Sequence, residues 1–279
     1  MKENYFSLVV ATFNRVQLLE KFIQSLLKQK FSDFILIVVN QGPDSEIQTL
    51  FKKYNSLLNI KLLQSEKGAS LARNVGIREA KGRYIGFPDD DCEYSEDYLF
   101  GIHKILKQNP SWDGISGIAR NKDGELSLLK LHQTKLEQKI SLNRKNAITL
   151  SLEPTIFAKN HCLQETNFDI NMGVGAPTPW QSDEGPDLII RLLKKNKIFY
   201  FCPSNAIIHP TPNEATKRRA FSYACGRGYL CRKHLFLLPT LVYLGLKALC
   251  GSLLFFSKNR SKHKERLKGY VKGFFKIQD

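Results

Sequence analysis

The chain of 279 residues is long enough to bury one full hydrophobic core and to carry an appendage beside it. It holds 42 Lys and Arg against 26 Asp and Glu, a net charge of +16, and residues 214–279 contain 15 of these basic residues but only three acids. This distribution predicts an anionic partner, either a nucleic acid or an acidic membrane surface. Six cysteines without CxxC pairs, and an N-terminus without a signal-peptide pattern, argue against a disulfide or zinc framework and predict a cytoplasmic protein.

Strands and helices alternate along the first part of the chain. Short apolar runs predict buried strands at 6–12, 34–40, 60–64 and 83–88. Apolar residues at helical spacing predict the intervening helices at 16–29, from the QGPDS turn through Phe51, and at 68–82. Because such alternation builds βαβ units, we expect an α/β fold whose parallel sheet is covered on both faces.

The middle of the chain is less regular. The pattern predicts a helix near 95–108, strands at 112–120 and 154–160, a helix at 186–196 and two short strands within 197–210. Residues 121–150 are polar, and their apolar residues show neither helical spacing nor the alternation of a strand. The glycine- and proline-rich stretch 170–185 is long for a simple connection, which favours a functional loop.

The basic C-terminal segment changes character along its length. It begins with a predicted amphipathic helix that Gly226 and Gly228 interrupt. Residues 235–256 are then almost continuously apolar and long enough to span a bilayer, although Pro239 and Lys247 break the run. A spanning helix, an in-plane anchor and a buried helix pair are all compatible with this pattern. Basic charge on both flanks favours monotopic attachment to an anionic leaflet.

Three adjacent aspartates, Asp89 to Asp91, follow the fourth predicted strand. One interpretation is a solvated acidic turn that opens the next helix, because aspartates favour helix N-termini. The other is a site for Mg²⁺ or Mn²⁺, because these ions prefer oxygen ligands and open parallel sheets bind ligands at the carboxyl ends of their strands. Two neighbouring strand ends, Thr12 to Arg15 and Asn40 to Asp44, are polar as well, which favours the metal site.

Several motifs occur together in a recognisable order: VVATFNR, GASLARNVGI, FPDDDCEY, SDEGPDLIIRLL, AIIHP and YACGRGYLCRKH. With these motifs the chain resembles the family-2 glycosyltransferases, inverting enzymes with the GT-A fold. The resemblance implies a Rossmann-like, mostly parallel sheet flanked by helices in a catalytic domain of residues 1–212. Its nucleotide-sugar half would cover about 1–120 and its acceptor half about 121–212. Residues 213–279 would form a helical, basic, membrane-associating extension.

The resemblance assigns the donor side of the site. FPDDDCEY corresponds to the DXD motif, so Asp89 and Asp91 would hold Mn²⁺ or Mg²⁺, with His209 completing the metal shell. The residues implied to bind the nucleotide sugar are Thr12, Asn14, Arg15, Asn40, Arg73, Asp89 and Asp90. The alternative for His209 is a strand-end histidine that faces solvent, and for Arg73 an exposed helix residue.

Asn40 departs from the family pattern, which commonly has an aspartate there that accepts a hydrogen bond from the base. The amide oxygen of Asn40 also accepts hydrogen bonds. Uridine and thymidine diphosphate sugars are therefore the favoured donors, and other bases are permitted.

The acidic motif departs from the family pattern too. The family usually has two consecutive acids before x-Asp-Leu, and here Glu184 matches the first while Gly185 replaces the second. The resemblance implies a carboxylate as general base, with Glu184 the first candidate and Asp183 the second. Asp187 either caps the helix or contacts the acceptor. Trp180 is expected to stack on an acceptor sugar or to lie against a lipid, with a core tryptophan as the alternative.

The resulting hypothesis is a metal-dependent inverting glycosyltransferase of surface polysaccharide synthesis. It would transfer a sugar from a nucleoside-diphosphate sugar to a hydroxyl of a glycan acceptor linked to polyprenyl diphosphate, at the cytoplasmic side of the cell membrane. A nucleotidyltransferase would need a glycine-rich basic loop after the first strand, which ATFNR is not. A nucleic-acid-binding protein would show basic residues interleaved with aromatic ones, whereas here the charge flanks an apolar run. A catalytically silent scaffold of a glycan assembly complex is the remaining alternative.

Overall fold

The computed structural model describes residues 4–43, 45–128, 136–211, 219–253 and 260–276. Eight strands are found there: β1 Phe6–Thr12, β2 Phe34–Asn40, β3 Ile60–Gln64, β4 Tyr84–Gly86, β5 Gly114–Arg120, β6 Ile140–Ser141, β7 Phe157–Lys159 and β8 Phe199–Ile208. The helices of the catalytic body are α1 Val16–Leu27, α2 Ser45–Tyr54, α3 Ala69–Glu79, α4 Tyr98–Gln108, α5 Ala147–Leu150, α6 Asn160–Glu165 and α7 Glu184–Lys194. Three more follow: α8 Ala220–Lys233, α9 Leu238–Leu253 and α10 Arg260–Phe275.

All eight strands form one sheet in the order β3-β2-β1-β4-β7-β5-β8-β6. The pairs β1–β2, β1–β4, β2–β3 and β5–β8 are parallel, while β7 runs antiparallel to both of its neighbours and β6 antiparallel to β8. Helices cover both faces, and a buried hydrophobic cluster lies on each. The predicted α/β fold with a mostly parallel sheet is therefore confirmed.

The strand register brings the predicted polar ends together. In the β1–β2 pair Thr12 lies opposite Asn40, and β4 pairs with the first half of β1. The carboxyl ends of β1 and β2 and the aspartates that follow β4 thus share one edge of the sheet. This edge is the expected position of a ligand site in an open parallel sheet.

Two predicted elements differ from the structure. The two short strands within 197–210 are a single strand, β8, whose pairing with β5 shifts between Phe201 and Ala206. Helix α7 begins at Glu184, two residues before the predicted start at Pro186. Proline is tolerated in the first turn of a helix, because the N–H groups there have no helical partner.

Helix α8 runs unbroken through Gly226 and Gly228, so the predicted interruption is wrong. A Cβ on Gly228 would meet the carbonyl oxygen of Tyr270 in α10, and one on Gly273 would meet that of Cys225 in α8. The glycines therefore allow close approach of the two helices. Cys225 is fully buried in the same cluster as the sheet, which joins α8 to the catalytic body. The predicted domain boundary at 212–213 lies outside the described residues and stays a prediction.

A buried ionic cluster around Asp187 fixes α7 to α8. Asp187 is fully buried and accepts hydrogen bonds from Arg191 Nε at 2.7 Å, Lys233 Nζ at 2.9 Å and His234 Nε2 at 2.8 Å. Lys194 donates to Nδ1 of His234, so the proton of this imidazole sits on Nε2. Burial opposes ionisation of Asp187, yet its hydrogen bond with His234 and the charges of Arg191 and Lys233 hold its pKa well below the usual range.

We predict that Asp187→Ala destabilises the fold, because it leaves the cations around it without their counter-charge. The expected loss in the free energy of unfolding is ~3 kcal/mol, as for other buried ion pairs that lose one partner. The measurement is urea unfolding followed by circular dichroism. The control Glu265→Ala, which removes an exposed pair with Lys268, should cost less than ~1 kcal/mol. Equal losses for the two variants would contradict a structural role of Asp187.

Candidate active site

The three aspartates after β4 point to three different partners. Asp90 accepts from Thr12 Oγ1 at 2.9 Å and from Arg15 at 2.6 Å. Arg15 also donates to Asp91 Oδ2 at 2.8 Å. Burial raises the pKa of Asp90 to about 7, although Arg15 and Thr12 oppose the shift. Asp90 therefore braces the end of β1 and shares Arg15 with Asp91.

Asp91 and Asp89 both lie near His209, with Asp91 the closer of the two. His209 Nε2 lies 3.2 Å from Asp91 Oδ1 and 4.0 Å from Asp89 Oδ2. Nδ1 of His209 lies 2.8 Å from the carbonyl oxygen of Pro210, which can only accept, so Nδ1 carries a proton. In the neutral imidazole, Nε2 then presents a lone pair towards the carboxylates. Because the His209 side chain is only 12% exposed, the alternative of a solvent-facing histidine is wrong.

This donor set fits a divalent cation. Two carboxylates and one imidazole nitrogen supply the mixed oxygen and nitrogen ligands that Mn²⁺ accepts, whereas Mg²⁺ prefers oxygen alone. Cys92 lies beside Asp91 and His209, but burial raises the pKa of its thiol well above the usual range, so it stays protonated. Burial lowers the pKa of His209, yet the hydrogen bond and charges of Asp91 and Asp89 raise it overall. The raised pKa of His209 reflects the negative charge of the two aspartates, which a bound cation would neutralise.

A cavity of about 300 Å³ opens at the ends of β1 and β2. Four residues predicted to bind the nucleotide sugar line it: Thr12, Asn14, Arg15 and Asn40. Asn14 adopts a left-handed backbone conformation with φ of 53°, as asparagine does more readily than most residues. Asn40 uses its amide within its own turn, donating to Gly42 O at 2.9 Å and accepting from Gly42 N at 3.2 Å.

Arg73 does not line this cavity. It is 5% exposed, and it donates to Asp89 at 3.0 Å, to Glu184 at 3.1 Å and to Glu153 at 3.4 Å. The alternative of an exposed helix residue is therefore wrong for Arg73, and its contact with the nucleotide or its diphosphate stays a prediction. Burial lowers its pKa, but the surrounding carboxylates raise it above the ordinary arginine value overall. Arg73 links the carboxylates that follow β4 to the acid at the start of α7.

Glu184 lies inside the site, and Glu153 lies against it. Glu184 is 5% exposed, and the loop that precedes α7 covers it, since a Cβ on Gly173 would lie 2.7 Å from its Oε1. Glu153 begins a short 3₁₀ turn, Glu153–Thr155, and shares the Arg73 guanidinium with Glu184. Sequence reasoning missed Glu153, because its surroundings show no motif and no periodicity. The only feature of the sequence that could have pointed to another acid in the site was the glycine at position 185, where the family usually has an acid.

Asp183 is held by a different arginine. It adopts a left-handed conformation with φ of 66° and forms a bidentate pair with Arg227 of α8, at 2.7 and 2.8 Å. This pairing holds the Asp183 carboxylate against α8. Of the two candidate bases, only Glu184 shares the cluster with Asp89.

The two residues predicted to contact the acceptor are buried. Trp180 is 4% exposed and stacks on Tyr229 of α8 with ring centroids 3.8 Å apart. Asp187 is fully buried in the ionic cluster between α7 and α8. Neither side chain presents a surface to a sugar in this structure, and both serve to attach α8. The core-tryptophan alternative is the one the structure supports.

A second cavity, of about 450 Å³, lies on the other side of Asp183. Its lining includes three basic residues from α8 and α10, namely Arg227, Lys262 and Arg266, with Tyr223 and Tyr270 beside them. Leu244 of α9 closes one side. The cavity therefore combines positive charge with an apolar border, close to the start of α7.

Solved structures of known proteins share this fold. The structure of TarS residues 1–349 from S. aureus in complex with UDP-GlcNAc superposes with a TM-score of 0.62 at 17% identity, covering 97% of this chain and 90% of that one. The mannosyltransferase PcManGT from Pyrobaculum calidifontis, in complex with GDP-Man and Mn²⁺, gives a TM-score of 0.68 at 14% identity, covering all of this chain and 89% of that one. At these identities the likeness establishes the fold.

Sequence relatives match a shorter stretch. An uncharacterized glycosyltransferase, EpsJ of Bacillus subtilis, is 39% identical over 106 residues, which is 37% of this chain and 30% of EpsJ. The poly(ribitol-phosphate) β-N-acetylglucosaminyltransferase TarP of Staphylococcus aureus is 34% identical over 110 residues, 38% of this chain and 34% of TarP. The match thus spans about a third of the length of these relatives. Residues 7–213 match the sequence profile of glycosyl transferase family 2, and the chain belongs to that family.

Proposed function

We propose that this glycosyltransferase is metal-dependent and transfers a sugar, with inversion, from a nucleoside-diphosphate sugar to a hydroxyl group of a glycan acceptor. One observation carries the proposal. The group of Asp89, Asp91 and His209 lies beside the cavity at the ends of β1 and β2, and Arg73 connects it to the buried Glu184. In this proposal Arg73 lies between the cation ligands and the carboxylate base.

The donor would bind across this edge of the sheet. Its base and ribose fit the cavity lined by Thr12, Asn14, Arg15 and Asn40, and its diphosphate reaches Asp89 and Asp91 through the cation. A cation bound there would neutralise the charge that develops on the departing nucleoside diphosphate. The nucleotide sugars bound by TarS and PcManGT support a donor of this class. An amide oxygen at position 40, in the lining of this cavity, would suit the ring N–H of uracil or thymine and so favours uridine or thymidine diphosphate.

Glu184 is the proposed general base. It would take the proton of the acceptor hydroxyl while that oxygen forms a bond to the anomeric carbon, and the bond from this carbon to the diphosphate oxygen breaks on the opposite face. Inversion follows from this in-line geometry. The N–H of Arg73 holds the Glu184 carboxylate at 3.1 Å and fixes its direction.

The donor site predicts a coupled effect of Mn²⁺ and nucleotide on thermal stability. Mn²⁺ together with UDP should raise the melting temperature, since both bind the folded chain only, and Mn²⁺ should enhance binding more than Mg²⁺. Asp91→Asn should abolish the shift that depends on the metal. Asp97→Asn, which alters an exposed aspartate paired with Lys30, should retain it. No shift with any nucleoside diphosphate, in folded wild-type protein, would refute the metal site.

The base assignment predicts a separation of binding from chemistry. Glu184→Gln should lower kcat by ~10²–10⁴-fold, the usual contribution of a general base, and leave binding of the nucleotide nearly unchanged. Asp183→Asn should lower the melting temperature by weakening its pair with Arg227, with a smaller effect on kcat. The measurements are steady-state transfer kinetics and thermal unfolding. A larger kcat loss for Asp183→Asn than for Glu184→Gln would reverse the assignment.

We also propose that the enzyme attaches to an anionic membrane surface through α9. Among the described residues, Leu235–Leu253 is the one helical stretch apolar and long enough to cross a membrane, with a mean hydropathy of 1.6 over an 18-residue window. Its exposed apolar side chains recur at helical spacing along one face: Leu235, Leu238, Val242, Leu246, Leu249 and Leu253. The next helix of the described residues, α10, is basic. An apolar face flanked by positive charge supports in-plane attachment at the cytoplasmic leaflet.

An acceptor linked to polyprenyl diphosphate would suit this arrangement. The basic cavity near Asp183 contains Lys262 and Arg266, which are able to pair with a diphosphate, and Leu244 of α9 borders it. A lipid chain leaving this cavity would continue along the apolar face of α9. The glycan end would then be directed towards Glu184 at the start of α7.

The membrane proposal predicts binding that depends on both surface charge and the apolar face. Wild-type protein should co-sediment with vesicles that contain phosphatidylglycerol and much less with vesicles of phosphatidylcholine alone. The double variant Val242→Asp, Leu246→Asp should bind ~10-fold more weakly, because apolar insertion is lost. Leu57→Asp, at another exposed leucine, should bind like wild type. Undiminished binding by the double variant would exclude α9 as the anchor.

A further inference from the structure

We infer that Glu153 replaces, in space, the second acid that the family has at the position of Gly185, and that it acts as a positioning residue for Glu184. This inference rests on the proposed role of Glu184 as general base. It concerns a residue outside every recognised motif of the chain.

The geometry of Gly185 carries the inference. A Cβ built on Gly185 would meet Cγ of Glu153 and would lie 2.9 Å from Cδ and 3.1 Å from Oε2. The Glu153 side chain therefore occupies the volume that any side chain at position 185 would need. Because Gly185, the second residue of α7, has no side chain, there is room for the carboxyl group of Glu153.

The backbone around Glu153 directs its side chain into this space. Glu153 opens the 3₁₀ turn before β7, and its neighbours Pro154 and Thr155 are buried. Thr155 Oγ1 accepts from Gly117 N at 2.9 Å and donates to Leu152 O at 2.7 Å, which ties the turn to β5. The carboxyl group of Glu153 thus comes from a rigid part of the fold.

Burial and the charges around Glu153 and Glu184 favour the protonated form of Glu153. Burial and the nearby Glu184 carboxylate raise the pKa of Glu153 well above the usual range, with Arg73 opposing and Asp89 adding to the rise. A protonated Glu153 is able to donate its O–H to the Glu184 carboxylate. Glu184 then accepts two hydrogen bonds, one from Arg73 and one from Glu153, and keeps an oxygen lone pair for the acceptor hydroxyl. Glu153 itself transfers no proton in this scheme.

The positioning role is tested with Glu153→Ala and Glu153→Gln. Alanine removes the donor and should lower kcat by ~10–100-fold with little change in the donor KM, because the base loses its orientation. Glutamine retains volume and an N–H donor, so its kcat should lie within ~3-fold of wild type. Wild-type kcat in the alanine variant, or an equal loss in both variants, would overturn the role.

The spatial replacement is tested without any substrate. Gly185→Asp should lower the melting temperature by about 4 °C or more through overpacking, and Glu153→Ala should relieve most of that loss in the double variant. Gly245→Asp, at a glycine of α9 with open space around it, should show no such coupling with Glu153→Ala. Additive effects of the changes at 153 and 185 would overturn the shared volume. This result is independent of sugar transfer, so it separates a failure of this inference from a failure of the proposed function.

Discussion

The guanidinium of Arg73 lies buried among Asp89, Glu184 and Glu153, and the arrangement of the site depends on this contact. Three carboxylates in a poorly solvated space would repel one another and take up protons. The positive charge of Arg73, which arginine does not easily lose, reduces this repulsion. Asp89 follows β4, Glu153 opens the 3₁₀ turn before β7, and Glu184 opens α7. Arg73 therefore joins three segments that are far apart in the chain.

The C-terminal helices support this centre from outside. Helix α8 supplies Arg227 to Asp183 and Lys233 and His234 to Asp187, so the first turn of α7 is anchored on both sides of Glu184. Helix α10 packs closely on α8 through glycines and leaves the apolar face of α9 exposed. A surface that would contact the membrane is therefore mechanically connected to the residues beside the base.

Two chemically different edges meet at this centre. On one side Asp91 and His209 form a ligand set for a cation, next to the cavity at the ends of β1 and β2. On the other side a basic cavity with an apolar border adjoins Asp183. The two sites differ in charge. The acidic edge would bind a diphosphate only together with a cation, whereas the cavity with basic residues would bind an anion without one.

The sequence by itself determined the strand–helix alternation and the polar residues after β1, β2 and β4, because periodicity and strand-end chemistry are local properties. His209 and Glu184 became candidates only through the resemblance to the family. Only the tertiary structure decided the roles of Arg73, Trp180, Asp187 and Glu153. Whether a charged side chain faces solvent, a ligand or an opposite charge depends on partners that are distant in the chain: Arg73 and Glu153 are 80 residues apart. Gly185 shows the same limit, since the volume left by a missing side chain becomes meaningful only when the fold brings Glu153 into it.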